Sequence, residues 1–295
     1  MSQFVELLAQ LVHGWDRFYG KARNVLERVL NALAYGAYRA ERSQGTGRGY
    51  RVRREKEVLA ALRDPSFSVH RLPRGFGIGL DERIIEYPWA ISRLPNTPGK
   101  LLDAGSVLNW DYLLRQPNLA NKRVFISTLA PETQSFWWRG VSYTYEDLRR
   151  PCFRSDYFDW IVCLSTIEHV GLDNSVYTID PAKKESRSGD YLAFLAELRN
   201  LLRPGGTLLL SFPFGKAAQH GWLQVFDLQA VDKMVSEFHP QMHSQNFFQY
   251  TPSGWKACSP QDASEALYFG RGANTDGNPL KIPAAEAVAC LELVK

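Results

Sequence analysis

Between residues 98 and 251 the sequence contains a series of short, nearly continuous apolar runs separated by helical or loop-like stretches. Such runs are typical of strands in a buried parallel sheet, because helices cover both faces of that sheet. The runs are Lys100–Gly105, Lys122–Leu129, Ser142–Tyr145, Phe158–Ser165 and Thr207–Pro213. The sequence therefore predicts parallel strands joined by crossover segments.

The connection between the last two runs has the clearest helical pattern. Residues 188–190 offer capping residues, and Arg-Pro-Gly-Gly at 203–206 ends the helix and turns the chain. The apolar positions between them are Leu192, Leu195, Leu198, Leu201 and Leu202. Asp227 is expected to cap a further helix, and 243–251 and 287–294 to form two closing strands. This order of elements predicts a doubly wound α/β sheet.

Composition excludes several classes of protein. Hydrophobic residues make up 45% of the chain and the net charge is only +4, so a specific nucleic-acid partner is not expected. The cysteines, Cys152, Cys163, Cys258 and Cys290, have no metal-ligand spacing, and no signal peptide precedes them. We therefore expect neither disulfides nor a bound metal, and a cytoplasmic location. No transmembrane segment is expected either, because no apolar window is long enough.

Outside the predicted sheet the chain divides into simpler segments. Residues 4–40 have apolar positions at helical spacing, which predicts an amphipathic helix or helix pair and a possible contact with a second copy or a partner. Residues 41–54 are rich in Gly and Arg and are predicted to be a linker; they follow no strand, so they are not a phosphate loop. The predicted domains are 1–54, a connecting segment 55–97 and the main domain 98–295. Residues 252–285 are expected to cover the substrate side.

In an open parallel sheet, ligands bind at the carboxyl ends of the strands. That rule selects residues 103–106, 130–132, 146–148, 165–169, 214–216 and, further on, His220. These residues include carboxylates, which suit hydroxyl or ammonium groups, and Gly105, which permits close backbone approach. A ligand site is therefore predicted at this edge.

Several of these residues have both a functional and a structural interpretation. His169 and His220 are candidate catalytic bases, since a histidine can accept a proton near neutral pH, although a packed structural role for His169 stays open. Glu168 is either a functional carboxylate or part of a capping box with Ser165. Trp137-Trp138-Arg139 could hold a ring or sugar, but core packing under the third strand is favoured.

The segment 145–170 (YEDLRRPCFRSDYFDWIVCLSTIEHV) resembles class I S-adenosylmethionine-dependent methyltransferases of the type 11 kind. Asp147, Phe158-Asp159 and Glu168-His169 occupy the family's acidic, Phe-Asp and Glu-His positions. LLDAG at 101–105 is similar to the start of its cofactor motif, and LRPGGTLLLSFPFG at 201–215 to its fifth strand. The resemblance covers residues 100 to 215 best and is absent from 1–97.

The resemblance implies a Rossmann-like methyltransferase sheet, mostly parallel with an antiparallel last strand, and S-adenosylmethionine as cofactor. It implies that Asp103 and Gly105 line the methionine part of the cofactor and that Asp147 and Leu148 flank its adenine. The strand-end serines complete the expected cofactor set: Ser106 and Ser165.

The first loop departs from the family pattern. Members usually have Asp-x-Gly-x-Gly-x-Gly, whereas residues 103–109 read Asp-Ala-Gly-Ser-Val-Leu-Asn. A group of bacterial methyltransferase-like domains shows a similar Gly-Ser loop, together with the Ile-Glu-His-x-Gly-Leu segment found here at 167–172. The altered loop therefore looks like a subfamily trait.

The function predicted from these observations is methyl transfer from S-adenosylmethionine to an oxygen or nitrogen nucleophile of a small-molecule or saccharide acceptor. The alternative is a non-catalytic, methyltransferase-like scaffold that binds a partner through its N-terminal helices. A nicotinamide dehydrogenase would need a Gly-x-Gly-x-x-Gly loop, which this sheet lacks.

Overall fold

The computed structural model describes residues 29–36, 47–269 and 285–295, and the chain divides into two compact units between Lys56 and Glu57. The longer helices are α1 (Arg48–Arg63), α2 (Arg83–Arg93), α3 (Asp190–Leu201) and α4 (Leu228–Phe238). The strands are β1 (Lys100–Ala104), β2 (Arg123–Thr128), β3 (Ser142–Tyr145), β4 (Phe158–Leu164), β5 (Leu202–Pro213), β6 (Ala218–Gln219), β7 (Gln224–Val225), β8 (Met242–Thr251), β9 (Gly254–Cys258) and β10 (Ala287–Val294). Short helical turns are Asp111–Leu114, Pro117–Ala120, Trp137–Arg139, Ile167–His169, Ser175–Thr178 and Pro181–Lys183.

One sheet of eight strands organises the larger unit, in the order β3-β2-β1-β4-β5-β10-β8-β9. The strands from β3 to β5 pair in parallel, whereas β10 pairs antiparallel with both β5 and β8. The predicted fold class, a Rossmann-like sheet with an antiparallel last strand, is confirmed. The strand order reverses between β1 and β4, which is where an open α/β sheet binds its ligands.

The core lies between this sheet and the helices α3 and α4. Leu195, Leu198 and Leu201 on α3 are fully buried against inward-facing residues of β5, such as Leu208 and Leu210. Each leucine side chain buried in this way contributes on the order of 1.5–3 kcal/mol. The helical leucine pattern in the sequence therefore marks the surface by which α3 packs on the sheet.

The predicted helix ends are also observed. α3 stops at Leu201, and Gly205 adopts a φ of +73°, which an L side chain rarely tolerates. The residues around this turn interrupt the pairing of β5 with β4, whose register jumps from Phe158–Leu202 to Trp160–Thr207. Asp227 caps α4 as predicted, because its side chain accepts a hydrogen bond from the amide of Ala230.

In the N-terminal part, one predicted segment lies mostly outside the residues that the structure describes, and one prediction requires correction. Most of the predicted helix over 4–40 lies outside the described residues; 29–36 are helical. The predicted linker requires correction, because residues 48–54 form the first turns of α1. Arginine favours helix, so the composition of this stretch disfavours helix only where its glycines lie.

Two further corrections concern surface segments. Trp137 and Trp138 are 69% and 61% exposed, so the favoured interpretation of core packing was wrong. Their short helical turn projects the rings outward, and they contact each other edge to face. In the segment 252–285, which is expected to cover the substrate side, Gly254–Cys258 forms β9 and pairs with β8, and residues 270–284 lie outside the described part of the chain. No helix in the described part of the chain is long and apolar enough to cross a membrane.

Candidate functional site

The loop after β1 is held in shape by Asp103. This side chain is fully buried, and its two carboxylate oxygens accept the amides of Val107 at 3.1 Å and Leu108 at 2.8 Å. Burial raises the pKa of Asp103 to about 7, although those two hydrogen bonds oppose the increase. Asp103 therefore organises the loop, and Val107 and Leu108 occupy the protein interior.

Between Asp103 and those residues the chain makes a strained turn. Gly105 has a φ of +114°, and a Cβ atom there would lie 2.2 Å from Oγ1 of Thr166. Ser106 is also left-handed, with a φ of +64°, and its buried hydroxyl has no hydrogen-bond partner among the described residues. A buried hydroxyl without a partner is costly, so this turn is a candidate contact for a polar ligand.

The ends of β2 and β3 form the next part of this edge. Leu148 is buried in the core, whereas Asp147 lies partly exposed and pairs with Arg149 at 2.6 Å. Hydrogen bonds from Arg149 lower the pKa of Asp147 against the opposing effect of burial. The same guanidinium contacts Glu185 at 2.7 Å and Asp190 at 2.6 Å. Asp147 thus belongs to an ion-pair network that connects the end of β3 to the start of α3.

At the end of β4, Ser165 takes part in a buried hydrogen-bond group that the sequence did not predict. The hydroxyls of Ser165 and Ser211 each donate to Oε1 of Glu86 at 2.6 Å, and Arg83 donates to Oε2 of Glu86 at 2.6 Å. Glu86 lies on α2 and is fully buried. The hydroxyl of Ser165 is therefore engaged with Glu86, and no capping box with Glu168 forms. The sequence signal that could have indicated this group is the single carboxylate, Glu86, within the apolar run IIEYPWAI in the predicted connecting segment 55–97.

Glu168 and His169 occupy the short turn that follows β4. Glu168 is 2% exposed, and its Oε2 has no hydrogen-bond partner among the described residues. Nδ1 of His169 lies 2.8 Å from the carbonyl oxygen of Trp222, and the two rings stack with centroids 5.0 Å apart. Because a carbonyl only accepts, Nδ1 must carry the proton, so Nε2 of the neutral ring, 3.8 Å from Oε1 of Glu168, is an acceptor.

Burial sets the protonation of both side chains. It raises the pKa of Glu168 well above its usual value, and the nearby carboxyls of Glu86 and Glu82 raise it further. It lowers the pKa of His169 to about 4, and the positive charge of Arg83 acts in the same direction. At neutral pH, His169 is therefore uncharged beside a carboxyl group that tends to hold its proton.

His220 lies in the hairpin formed by β6 and β7, close to Tyr268. The two ring centroids are 5.3 Å apart, and Nε2 of His220 is buried without a hydrogen-bond partner among the described residues. Burial lowers the pKa of His220. Tyr268 lies 6.3 Å from Trp222, and its raised pKa results from burial and from the charges of Glu82 and Glu168. The structure thus brings the two predicted histidines to one site.

These contacts define an aromatic–carboxylate cluster at the edge of the sheet. Its members are Glu82, Arg83, Glu86, Glu168, His169, Tyr177, His220, Trp222 and Tyr268. It adjoins the β1 loop, because Gly105 packs on Thr166, two residues before Glu168. No group of His, Cys, Asp and Glu in the described residues has the geometry of a metal site.

The strand order, with β10 antiparallel between β5 and β8 and a reversal between β1 and β4, is that of the class I methyltransferase fold. The sequence matches no protein-family model and no curated protein.

Among solved structures, the chain is similar to the 1,6-didemethyltoxoflavin-N1-methyltransferase of Burkholderia thailandensis, solved with 1,6-didemethyltoxoflavin and S-adenosylhomocysteine. The sequence identity is 15%, the TM-score is 0.43, and the match covers 86% of this chain and 92% of that one. Phosphoethanolamine N-methyltransferase 2 of Haemonchus contortus has 13% identity and a TM-score of 0.42, over 68% of this chain and 49% of that one. A methyltransferase of Methanosarcina mazei has 12% identity and a TM-score of 0.41, over 70% and 96%. The fold assignment itself rests on the strand order.

Proposed function

We propose that this protein transfers a methyl group from S-adenosylmethionine to a nitrogen or oxygen nucleophile of a small-molecule or saccharide acceptor. The observation that carries the proposal is the position of the Gly105–Ser106 turn, with its partnerless buried hydroxyl, at the point where the strand order reverses. Through Thr166 this turn adjoins the aromatic–carboxylate cluster. A cofactor on the turn would therefore lie beside an acceptor in the cluster.

The residues at this edge fit the proposed cofactor. Gly105 leaves the backbone open to close approach, Ser106 offers its buried hydroxyl, and Asp103 holds the loop in position. Asp147 and Leu148, which follow β3, are proposed to lie on the adenine side, and Ser165, which follows β4, on the opposite side of the β1 loop. When bound, S-adenosylmethionine supplies the methyl group as a sulfonium electrophile.

The cluster is proposed to orient the acceptor and to take its proton. Its residues would hold the acceptor's lone pair in line with the methyl carbon that the bound cofactor would supply. Holding these atoms in line accounts for most of the rate enhancement that such a site can provide. If the acceptor is a hydroxyl, its proton can pass to Nε2 of His169 or of His220.

Calorimetric titration with S-adenosylmethionine and S-adenosylhomocysteine tests the cofactor. We expect micromolar binding, weakened about 2–10-fold by Ser106→Ala because one hydrogen bond of ordinary strength is lost. The matched control is Ser244→Ala, an exposed serine on β8, which should bind like the unsubstituted protein. Equal affinity of both variants would remove Ser106 from the cofactor site.

One observation favours the second candidate, a non-catalytic scaffold. The amides of Val107 and Leu108, in the loop that lacks the usual glycines, already donate to Asp103. If neither cofactor form binds to protein that circular dichroism shows to be folded, the methyltransferase proposal is rejected. Attention would then pass to partner binding through residues 1–54.

A further inference from the structure

The aromatic–carboxylate cluster contains more carboxyl groups than cations. Arg83 pairs with Glu86 at 2.6 Å. The charges of Arg83 and Glu86 act on the pKa of both Glu82 and Glu168, yet Oε2 of each of these two has no hydrogen-bond partner among the described residues. Because Glu168 is 2% exposed, water does not compensate it either. Both carboxyls therefore have unused capacity to accept hydrogen bonds.

Aromatic rings surround these carboxyls. His169 stacks on Trp222 at 5.0 Å and meets Tyr177 at 5.4 Å, while Trp222 and Tyr268 are 6.3 Å apart. The ring faces of tryptophan and tyrosine attract cations, because the π electrons make each face negative. His169 supplies no competing positive charge, since its pKa is low. Carboxyl oxygens and aromatic faces in one partly buried place are the combination that recognises organic cations.

We propose that the aromatic–carboxylate cluster binds a protonated amine, with the ammonium group between Glu168, Glu82 and the rings of Trp222 and Tyr268. This inference rests on the proposed function and names its acceptor class. The positive charge of an ammonium group favours the ionised form of the carboxyls that burial otherwise keeps protonated, and the ammonium then donates to their oxygens through charge-assisted hydrogen bonds. A neutral polyol could satisfy the same oxygens but supplies no charge that would favour ionised carboxyls.

The proton inventory of methylation is consistent with this ligand. The ammonium nitrogen passes one proton to the ionised carboxylate of Glu168, and the lone pair that this exposes forms the bond to the methyl carbon. The carbon–sulfur bond breaks with its electrons kept by sulfur, and the product is an N-methylammonium ion. The raised pKa of Glu168 favours this carboxyl as the proton acceptor.

The test compares probes that differ in charge, of which benzylamine and benzyl alcohol are matched in size. Benzylamine, benzyltrimethylammonium, benzyl alcohol and methyl α-glucoside are titrated into the full chain, with and without S-adenosylhomocysteine, and binding is followed by ligand-observed NMR. We expect benzylamine to bind at least about tenfold more tightly than benzyl alcohol, a difference of about 1.4 kcal/mol. If benzyl alcohol or the glucoside binds as tightly as benzylamine, the amine proposal is overturned, and binding of the glucoside indicates a saccharide site.

Two variants and a control locate the binding. Glu168→Gln keeps the shape of the side chain and removes its charge, so it should weaken the binding of benzylamine about tenfold and leave the binding of benzyl alcohol unchanged. Tyr268→Leu should weaken the binding of both benzylamine and benzyltrimethylammonium. Glu237→Gln, an exposed position on α4, should change nothing. Unchanged benzylamine affinity in both cluster variants overturns the proposal. If S-adenosylhomocysteine binds but benzylamine does not, the amine inference alone fails. If benzylamine binds but S-adenosylhomocysteine does not, the cofactor proposal is rejected and the cation site is retained.

Discussion

The buried carboxylate of Glu86 should be one of the largest single contributors to the stability of this fold. It accepts hydrogen bonds of 2.6 Å from Ser165, Ser211 and Arg83, and so ties α2 to the ends of β4 and β5. Glu86→Ala removes the acceptor from the buried hydroxyls of Ser165 and Ser211 and from the guanidinium of Arg83, which is 20% exposed. Removing one partner of a buried pair typically costs about 3–5 kcal/mol, and we expect a loss in that range.

Glu86→Gln should cost less, about 1–3 kcal/mol. The carbonyl oxygen of the glutamine can still accept hydrogen bonds from both serine hydroxyls. Its NH2 group, however, is a donor placed against the donor groups of Arg83, so that hydrogen bond is lost. Adding Ser165→Ala and Ser211→Ala to Glu86→Ala should restore part of the loss, because the hydroxyls then no longer lack an acceptor.

Urea unfolding followed by circular dichroism measures these changes in the free energy of unfolding. Glu237→Ala, at an exposed helical position, should stay within about 0.5 kcal/mol of the unsubstituted protein. A loss below about 1 kcal/mol for Glu86→Ala, or equal losses for the alanine and glutamine variants, would refute the reasoning.

Three further predictions follow from the site. Gly105→Ala should destabilise the protein by about 2–4 kcal/mol, and by less in a Thr166→Ala background, since that change removes the atoms 2.2 and 2.6 Å from the new Cβ. Nitrogen-detected NMR should find His169 neutral and protonated on Nδ1 down to about pH 4. Between pH 6.5 and about 8 the urea concentration at the midpoint of unfolding should fall. The reason is that Asp103 and Glu82, whose folded pKa values are about 7 and about 8, hold protons in the folded protein that the unfolded chain has released.

The sign of the pH prediction follows from the folded and unfolded pKa values. A carboxyl with a raised folded pKa stabilises the protein below its unfolded pKa, and that stabilisation is lost as the pH rises through the folded value. His169 acts in the opposite direction, but only between about pH 4 and its ordinary value of 6.5. Asp103→Asn should therefore flatten the decline. The pH argument is contradicted if the midpoint of urea unfolding rises over this window. The protonation argument for His169 fails if its imidazole titrates near neutral pH. The steric argument fails if Thr166→Ala does not reduce the cost of Gly105→Ala.

Local patterns in the sequence were sufficient to predict most of the sheet. The apolar runs mark β1 to β5, the leucine spacing marks α3, and Asp227 marks the start of α4. Hydrophobic periodicity and capping depend on residues within a few positions of one another, so they can be recognised without knowing the fold. The same reasoning failed for Trp137 and Trp138, because apolar character alone does not say whether a short segment faces the core or solvent.

The site could be predicted only in part. His169 and His220 were selected because strand ends in a parallel sheet meet at one edge, and the structure brings both to Trp222 and Tyr268. Glu86 was not selected, since it precedes the first strand of the sheet and meets Ser211 across 125 residues of chain.

By itself, then, the sequence determined the class of fold, the edge of the sheet where a ligand can bind and the residue types at that edge. Only the tertiary structure decided which carboxyls are paired and which are left without a partner. Asp103 holds its own loop, Asp147 pairs with Arg149, and one oxygen of Glu168, beside aromatic rings, accepts no hydrogen bond from any residue in the described part of the chain. The physical reason is that burial, charge and hydrogen bonding are set by neighbours distant in the chain, and these neighbours decide what chemistry a carboxyl group can perform.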